Sequence, residues 1–109
     1  HNEAGIQEIL KAWQRIEYKD LHLVWGMVND KETEKVLRML PKTAHYYFVS
    51  PDVPRGLPVE DLQRIAAGLG IRGAAHASVN AGLLAAKQNA GADDLIFVGG
   101  STFVVAEVV

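Results

Sequence analysis

Side chains that could bind an anionic ligand follow two apolar, strand-like runs of the sequence. Asp30 and Lys31 come shortly after the run 21–28, and Ser101 comes directly after the run 94–100. In a parallel sheet flanked by helices, ligands bind at the carboxyl ends of the strands. Lysine and serine donate hydrogen bonds to phosphate or carboxylate groups. These residues therefore predict a binding edge, although a helix cap beside a solvated lysine is an equally simple interpretation of Asp30 and Lys31.

Two further features could add donors to that edge. His1 and Asn2 directly precede a helical pattern. With a strand upstream of residue 1, these two residues would follow the carboxyl end of that strand. The Gly99-Gly100-Ser101 turn could present backbone N–H groups to an anion, or it could only pack a strand against a helix. The terminal segment 101–109 is then expected to begin a helix at this turn.

Arg55 lies between Pro54 and Gly56 in the proline-rich segment 50–58. An arginine on a stiffened loop can hold a carboxylate with two parallel hydrogen bonds. The alternative is a side chain that only faces solvent. Arg55 is therefore a second candidate for binding a carboxylate.

Composition excludes several other functions. The 109 residues carry 11 basic and 13 acidic side chains and no cysteine. The net charge is −2 and no basic stripe is visible, which argues against nucleic-acid binding. No apolar run approaches the length of about 18 residues that spans a membrane. No histidine pair has the i, i+4 spacing of a helical metal site, so no metal is expected on these residues. The absence of cysteine fits a cytoplasmic protein.

Helical and strand-like patterns alternate along the whole chain. Helices are predicted after Gly5, after Asn29 or Asp30, after Pro58 and after Ser78. The predicted strands are 21–28, 44–50, 71–75 and 94–100. This alternation predicts an α/β, Rossmann-like fold, with a mainly parallel sheet of about four strands and helices on both faces. Because such folds usually begin with a strand, we expect one more strand upstream of residue 1.

Four segments in register resemble one known family. They are HNEAG at the start, WGMVNDKETEKVLRMLP, PRGLP and FVGGSTFVVAE. In this order and spacing they resemble the C-terminal, glutamate-ligase domain of folylpolyglutamate and dihydrofolate synthases, in the Mur ligase superfamily. Glu3 replaces the usual proline after His-Asn, Gly56 replaces an alanine, and Thr102-Phe103 replaces Leu-Tyr. The resemblance covers residues 1–109 as a single domain and implies that the N-terminal ATPase domain lies outside this chain.

The resemblance also implies a reaction. The parent enzyme would use ATP and Mg²⁺ to phosphorylate a carboxylate of folate or dihydropteroate, and the amine of L-glutamate would then form the amide. The implied partners are the ATPase domain and these small molecules, without nucleic acid or membrane, in a monomer. Without the ATPase domain, the chain is expected to be inactive and to bind no nucleotide tightly.

The family pattern then assigns roles to individual residues. His1 would be catalytic and would contact glutamate, together with Ser101 and Arg55. The nucleotide edge or the domain interface would hold Asn2, Asp30, Lys31 and Gly100. Two other functions stay open, namely a stand-alone α/β binding or regulatory domain and the C-terminal domain of a Mur ligase that acts on a peptidoglycan precursor.

Overall fold

The computed structural model describes residues 3–29, 31–101, 104–105 and 107–108. Within these residues, four helices and four strands alternate along the chain. They are α1 (Glu3–Gln14), β1 (Leu21–Gly26), α2 (Thr33–Met39), β2 (His45–Phe48), α3 (Val59–Gly68), β3 (Gly73–Ala75), α4 (Val79–Asn89) and β4 (Leu95–Gly100). The predicted alternation is confirmed.

All four strands form one parallel sheet in the order β3-β2-β1-β4. The central strand β1 pairs with β4 along its whole length, from Leu21 opposite Leu95 to Gly26 opposite Gly100. The carboxyl ends of β1 and β4 therefore lie at the same edge of the sheet, which we call the carboxyl edge. The strands begin at the opposite, amino edge.

Helices cover both faces of the sheet. The larger core cluster packs α1, α2 and α3 against one face through the buried side chains of Ile6, Leu37 and Leu62. The smaller cluster packs α4 against the other face through Val79 and Ala86. Trp13 belongs to the larger cluster, where its ring meets that of Phe97 edge-on at 5.1 Å. The predicted α/β architecture is confirmed.

The start of α2 differs from the sequence-based expectation. The helix begins at Thr33 and its N-cap is Glu32, whose side chain makes no capping hydrogen bond. Asn29 does not cap the helix; it lies in a bend three residues before the N-cap, where its N–H donates to the carbonyl of Arg55 at 2.7 Å. Asp30, the other expected cap, lies outside the described residues. The expected cap at Ser78 is confirmed, since its hydroxyl accepts a hydrogen bond from the N–H of Ala81 at 3.0 Å.

Candidate functional site at the carboxyl edge

The ends of β1 and β4 approach each other more closely than side chains would allow. Gly100 has a φ of +100°, and a Cβ built on it would clash with the carbonyl oxygen of Gly26. A Cβ on Gly26 would in turn lie 2.6 Å from the carbonyl oxygen of Val49. Only glycine tolerates both the positive φ at position 100 and this contact. The glycine pair that ends β4 therefore fixes how the chain leaves the sheet.

Ser101 follows directly and is held by its backbone. Its N–H donates to the carbonyl of Gly26 at 2.9 Å, and its own carbonyl accepts from the N–H of Val104 at 3.0 Å. The residue is 7% exposed. The expectation that this turn offers backbone donors to an anion is therefore wrong for the N–H of Ser101, which is already bonded. Ser101 nevertheless begins a helical turn at the carboxyl edge, as expected.

The segment 51–57 packs against the chain that leaves β1. Val28 and Gly56 form an antiparallel bridge, and the N–H of Leu57 donates to the carbonyl of Met27 at 2.8 Å. A Cβ on Gly56 would lie 2.5 Å from the carbonyl of Pro51, so the loop is tightly folded on itself. Backbone hydrogen bonds thus anchor this proline-rich loop at the same edge as Ser101.

The backbone of this loop is bonded to the segment that leads to Lys31. The carbonyl of Arg55 accepts the N–H of Asn29, which is two residues before Lys31. Both cationic side chains are exposed, and within the described residues neither forms a hydrogen bond or an ion pair. Two cations with free donors therefore lie at the carboxyl edge, and such groups can bind phosphate or carboxylate.

The described residues cover only part of the predicted site. Gly100, Ser101 and Lys31 lie at the carboxyl edge, as the sequence predicted, and the structure adds the loop of Arg55, whose position the sequence did not predict. His1, Asn2 and Asp30 lie outside the described residues. Their roles stay predictions.

A polar network at the amino edge escaped the sequence analysis. His22 Nε2 lies 2.9 Å from Asp94 Oδ2, and His22 Nδ1 lies 2.8 Å from the hydroxyl of Tyr47. The rings of His22 and His45 stack at 4.7 Å because the two residues are partners in the register of β1 and β2. The signal in the sequence was a histidine at the start of each of two strands, together with an aspartate directly before a third.

Hydrogen bonds keep Asp94 ionised. The N–H of Gly91 is the largest influence that lowers the pKa of the Asp94 carboxyl below its ordinary value of 3.8, and the bond from His22 is the next. An ionised carboxylate only accepts, so Nε2 of His22 carries a proton. In the neutral ring, Nδ1 then accepts the hydroxyl hydrogen of Tyr47. The network joins β1, β2 and the loop before β4.

A comparison with known protein families decides what kind of domain this is. Residues 1–102 match the family described as Mur ligase, glutamate ligase domain. This chain belongs to that family. The glutamate-ligase domain described above therefore includes the carboxyl edge and the amino-edge network alike.

Relatives and solved structures support the same conclusion. The domain is 32% identical to the probable bifunctional folylpolyglutamate synthase/dihydropteroate synthase of Haloferax volcanii and 31% identical to that of Halobacterium salinarum. Each alignment covers 98% of this chain and 13% of the relative. Among solved structures, E. coli FolC in complex with DHPP and ADP matches 99% of this chain and 26% of that chain, with a TM-score of 0.88 and 26% identity.

A further solved match supports the fold. The bifunctional folylpolyglutamate synthase/dihydrofolate synthase of Yersinia pestis, complexed with AMPPNP and Mn ion, has a TM-score of 0.86 and 23% identity. The glutamate-ligase domain thus spans about a quarter of these solved chains and much less of the curated relatives. None of these relatives is described as a regulatory domain or as a peptidoglycan-precursor ligase, so those two alternatives are not favoured.

The resemblance implies ATP and Mg²⁺, and the described donors suit an anionic group but not the metal. The cations Lys31 and Arg55 fit the phosphates of a nucleotide or the carboxylates of an amino acid. Mg²⁺ prefers oxygen ligands, and within residues 3–29, 31–101 and the described tail no three acidic or histidine side chains are grouped to hold a metal. The described residues alone therefore do not form a magnesium site. Across the same described residues, no helix is long and apolar enough to cross a membrane.

Proposed function

We propose that this glutamate-ligase domain is the C-terminal part of an ATP-dependent enzyme that adds L-glutamate to folate or dihydropteroate. The family match and the names of its relatives support the proposal. The related solved enzymes are complexes with DHPP and ADP, and with AMPPNP and Mn ion. The proposed partners of this domain are an ATPase domain, the nucleotide, the pterin substrate and glutamate, in a monomeric cytoplasmic enzyme.

The observation that carries the proposal is the anchored loop 51–57. Backbone bonds to Met27 and Asn29 hold the loop at the carboxyl edge, while the side chain of Arg55 stays exposed. Glutamate carries two carboxylates, and one of them needs a donor that the reacting centre does not use. A guanidinium on a rigid backbone meets this requirement, because little conformational freedom is lost on binding.

The proposed reaction has two steps. A carboxylate oxygen of the folate or dihydropteroate attacks the terminal phosphorus of ATP, ADP leaves, and an acyl phosphate forms. The amine nitrogen of glutamate then attacks the acyl carbon, inorganic phosphate leaves, and the nitrogen loses a proton to give the amide. Water would destroy the acyl phosphate, so closure of this domain over the ATPase domain would protect it.

Each site residue has a proposed role in this reaction. His1 would lie near the phosphates and the glutamate, with Asn2 supporting it. Ser101 would donate its hydroxyl to the incoming glutamate. Asp30 and Lys31 would line the nucleotide edge or the domain interface. Gly100 would allow the close turn that presents Ser101.

Replacement of Ser101 by alanine in the full-length enzyme tests the proposal. A hydroxyl that donates to a carboxylate is worth about 1.5–3 kcal/mol, so we expect kcat/KM for glutamate to fall about ten- to a hundred-fold. The kcat/KM for ATP should change much less. Steady-state kinetics with each substrate varied in turn, on folate and on dihydropteroate, measures both.

The matched control is Thr43→Ala, which removes an exposed hydroxyl far from the carboxyl edge. We expect it to leave both kinetic constants unchanged. Equal losses for glutamate and ATP in Ser101→Ala would contradict a glutamate role and indicate a folding defect or a nucleotide role. A full-length enzyme that forms no amide with either pterin substrate would refute the proposed function itself.

A further inference from the structure

A polar cleft of about 330 Å³ opens at the amino edge, near the C-terminal end of α4. We call it the amino-edge cleft, and the side chains that matter for its chemistry are His45, Tyr47, Arg72, His76 and Asn89. Its volume is at the lower end of the range for small-ligand sites, about 300–1,000 Å³. Because His22 and Gly26 are four residues apart on β1, the amino-edge network and the carboxyl edge are about 13 Å apart.

The lining of the amino-edge cleft is rich in donors. Its described residues include an arginine, two histidines and an asparagine, but no aspartate or glutamate. The side chains of Arg72 and His45 are exposed, and within the described residues neither makes a hydrogen bond or an ion pair. In a chain of net charge −2, a cleft with this lining is a local concentration of positive and donor groups.

The wall of the cleft is fixed, and one atom in it lacks a partner. The hydroxyl of Tyr47 is bonded to His22, which Asp94 in turn orients. Nε2 of His76, whose ring lies 5.9 Å from that of Tyr47, is buried and has no hydrogen-bond partner among the described residues. Buried polar atoms nearly always have a partner in a protein or in a bound molecule. This nitrogen therefore leaves one polar atom in the wall of the cleft unpaired.

We propose that the amino-edge cleft binds a small oxyanion, either a phosphate or a carboxylate. Arg72 would hold it through two parallel hydrogen bonds, because the guanidinium matches the planar spacing of two oxyanion oxygens. His45 and Asn89 would donate from the sides. This is a ligand site separate from the carboxyl edge, and it does not depend on the proposed ligase function.

Titration of the ¹⁵N-labelled 109-residue chain by NMR tests the proposal. Inorganic phosphate and succinate are added separately at constant ionic strength, with chloride as the reference. We expect saturable shifts at His45 and at the backbone of 72–76, with a Kd of about 1 mM or tighter for at least one anion. The two titrations show whether phosphate or carboxylate is preferred.

Arg72→Gln is the decisive variant, and its exposed position makes a folding defect unexpected. It should weaken binding at least tenfold. The matched control Arg15→Gln removes an exposed positive charge at the end of α1 and should leave the Kd unchanged. The circular dichroism spectrum of each variant verifies that the fold is retained.

Three results would overturn the proposal. They are the absence of saturable shifts with either anion, an unchanged Kd in Arg72→Gln, and shifts confined to the carboxyl edge around Arg55. Arg72 also borders a second cleft over α3, which carries Glu60. Shifts centred on Glu60 and Arg64, without any at His45, would count against the amino-edge cleft as well.

Discussion

The two edges of the sheet use polar residues in opposite ways. At the amino edge, His22 bonds to both Tyr47 and Asp94, and the three side chains are largely shielded from solvent. At the carboxyl edge, the backbone supplies the bonds, and the side chains of Lys31 and Arg55 remain exposed without partners among the described residues. Polar groups that satisfy one another hold strands together, whereas polar groups held only by their backbone remain available to a ligand.

The largest expected effect is a loss of all ligase activity in the isolated chain, because the carboxyl edge has no phosphate-binding loop of its own. The 109 residues contain no GxxxxGK[ST] phosphate loop, and the GLGIRG segment at 68–73, which has GxGxxG spacing, begins at the end of helix α3 and not after a strand, so it is not a dinucleotide-binding turn. We predict that the chain alone forms no amide from pteroate and glutamate and binds ATP with magnesium no more tightly than about 100 μM. Calorimetric titration and a phosphate-release assay measure the two. Turnover, or tighter binding, would mean that this chain carries a complete site and that the carboxyl edge is more than a donor surface.

The next effect concerns the close approach that shapes the carboxyl edge. Gly100→Ala forces a side chain into a positive φ and against the carbonyl of Gly26. We predict that the free energy of unfolding falls by about 3 kcal/mol, as measured by urea denaturation. Gly68→Ala is the control, since a Cβ there meets nothing within 4 Å. It should change stability by less than about 1 kcal/mol.

An equal loss of unfolding free energy in the two glycine variants would show that the close contact between β1 and β4 does not require glycine. In that case the position of Ser101 would have to be fixed by something other than the ends of these strands.

The smallest expected effect concerns the amino-edge network and depends on pH. Because the folded-state pKa of Asp94 is lowered, the ionised carboxylate stabilises the fold above its ordinary pKa of 3.8. This contribution is lost as the pH falls through the lower folded-state value. We predict that Asp94→Asn unfolds at a lower urea concentration than the parent chain at pH 7. The difference between the two urea midpoints should narrow below pH 3.8.

Asp93→Asn is the matched control for this prediction, because its side chain is exposed beside the same strand. The urea midpoint of Asp93→Asn should equal that of the parent chain over the whole pH range. A gap between Asp94→Asn and the parent that stays constant from pH 7 to the acid limit would show that the carboxylate charge does not stabilise the network.

Local patterns were enough to predict most of the architecture. The hydroxyl of Ser78 does cap α4, and the side chains of Val36, Leu37 and Leu40, which recur at helical spacing, are buried. Such features depend on residues within one turn of each other, so neighbouring sequence specifies them. The order of the strands in the sheet, by contrast, was not predicted.

The start of α2 shows where local reasoning fails. Asn29 is a good helix cap by residue type, yet its N–H bonds to the carbonyl of Arg55, 26 residues later in the chain. The helix begins only at Thr33, with Glu32 as its N-cap. Residue type alone, with Asn29 as the cap, therefore placed the start of this helix three residues too early.

The sequence by itself determined the α/β class, the parallel sheet and the placement of Ser101 after a glycine pair, because periodicity and glycine chemistry act over a few residues. Only the tertiary structure decided which distant groups meet. It brought the loop of Arg55 to the end of β1, and it joined His22, Tyr47 and Asp94 from three segments. The physical reason is that strand register and loop docking are set by the packing of the whole core, which no short stretch of sequence contains.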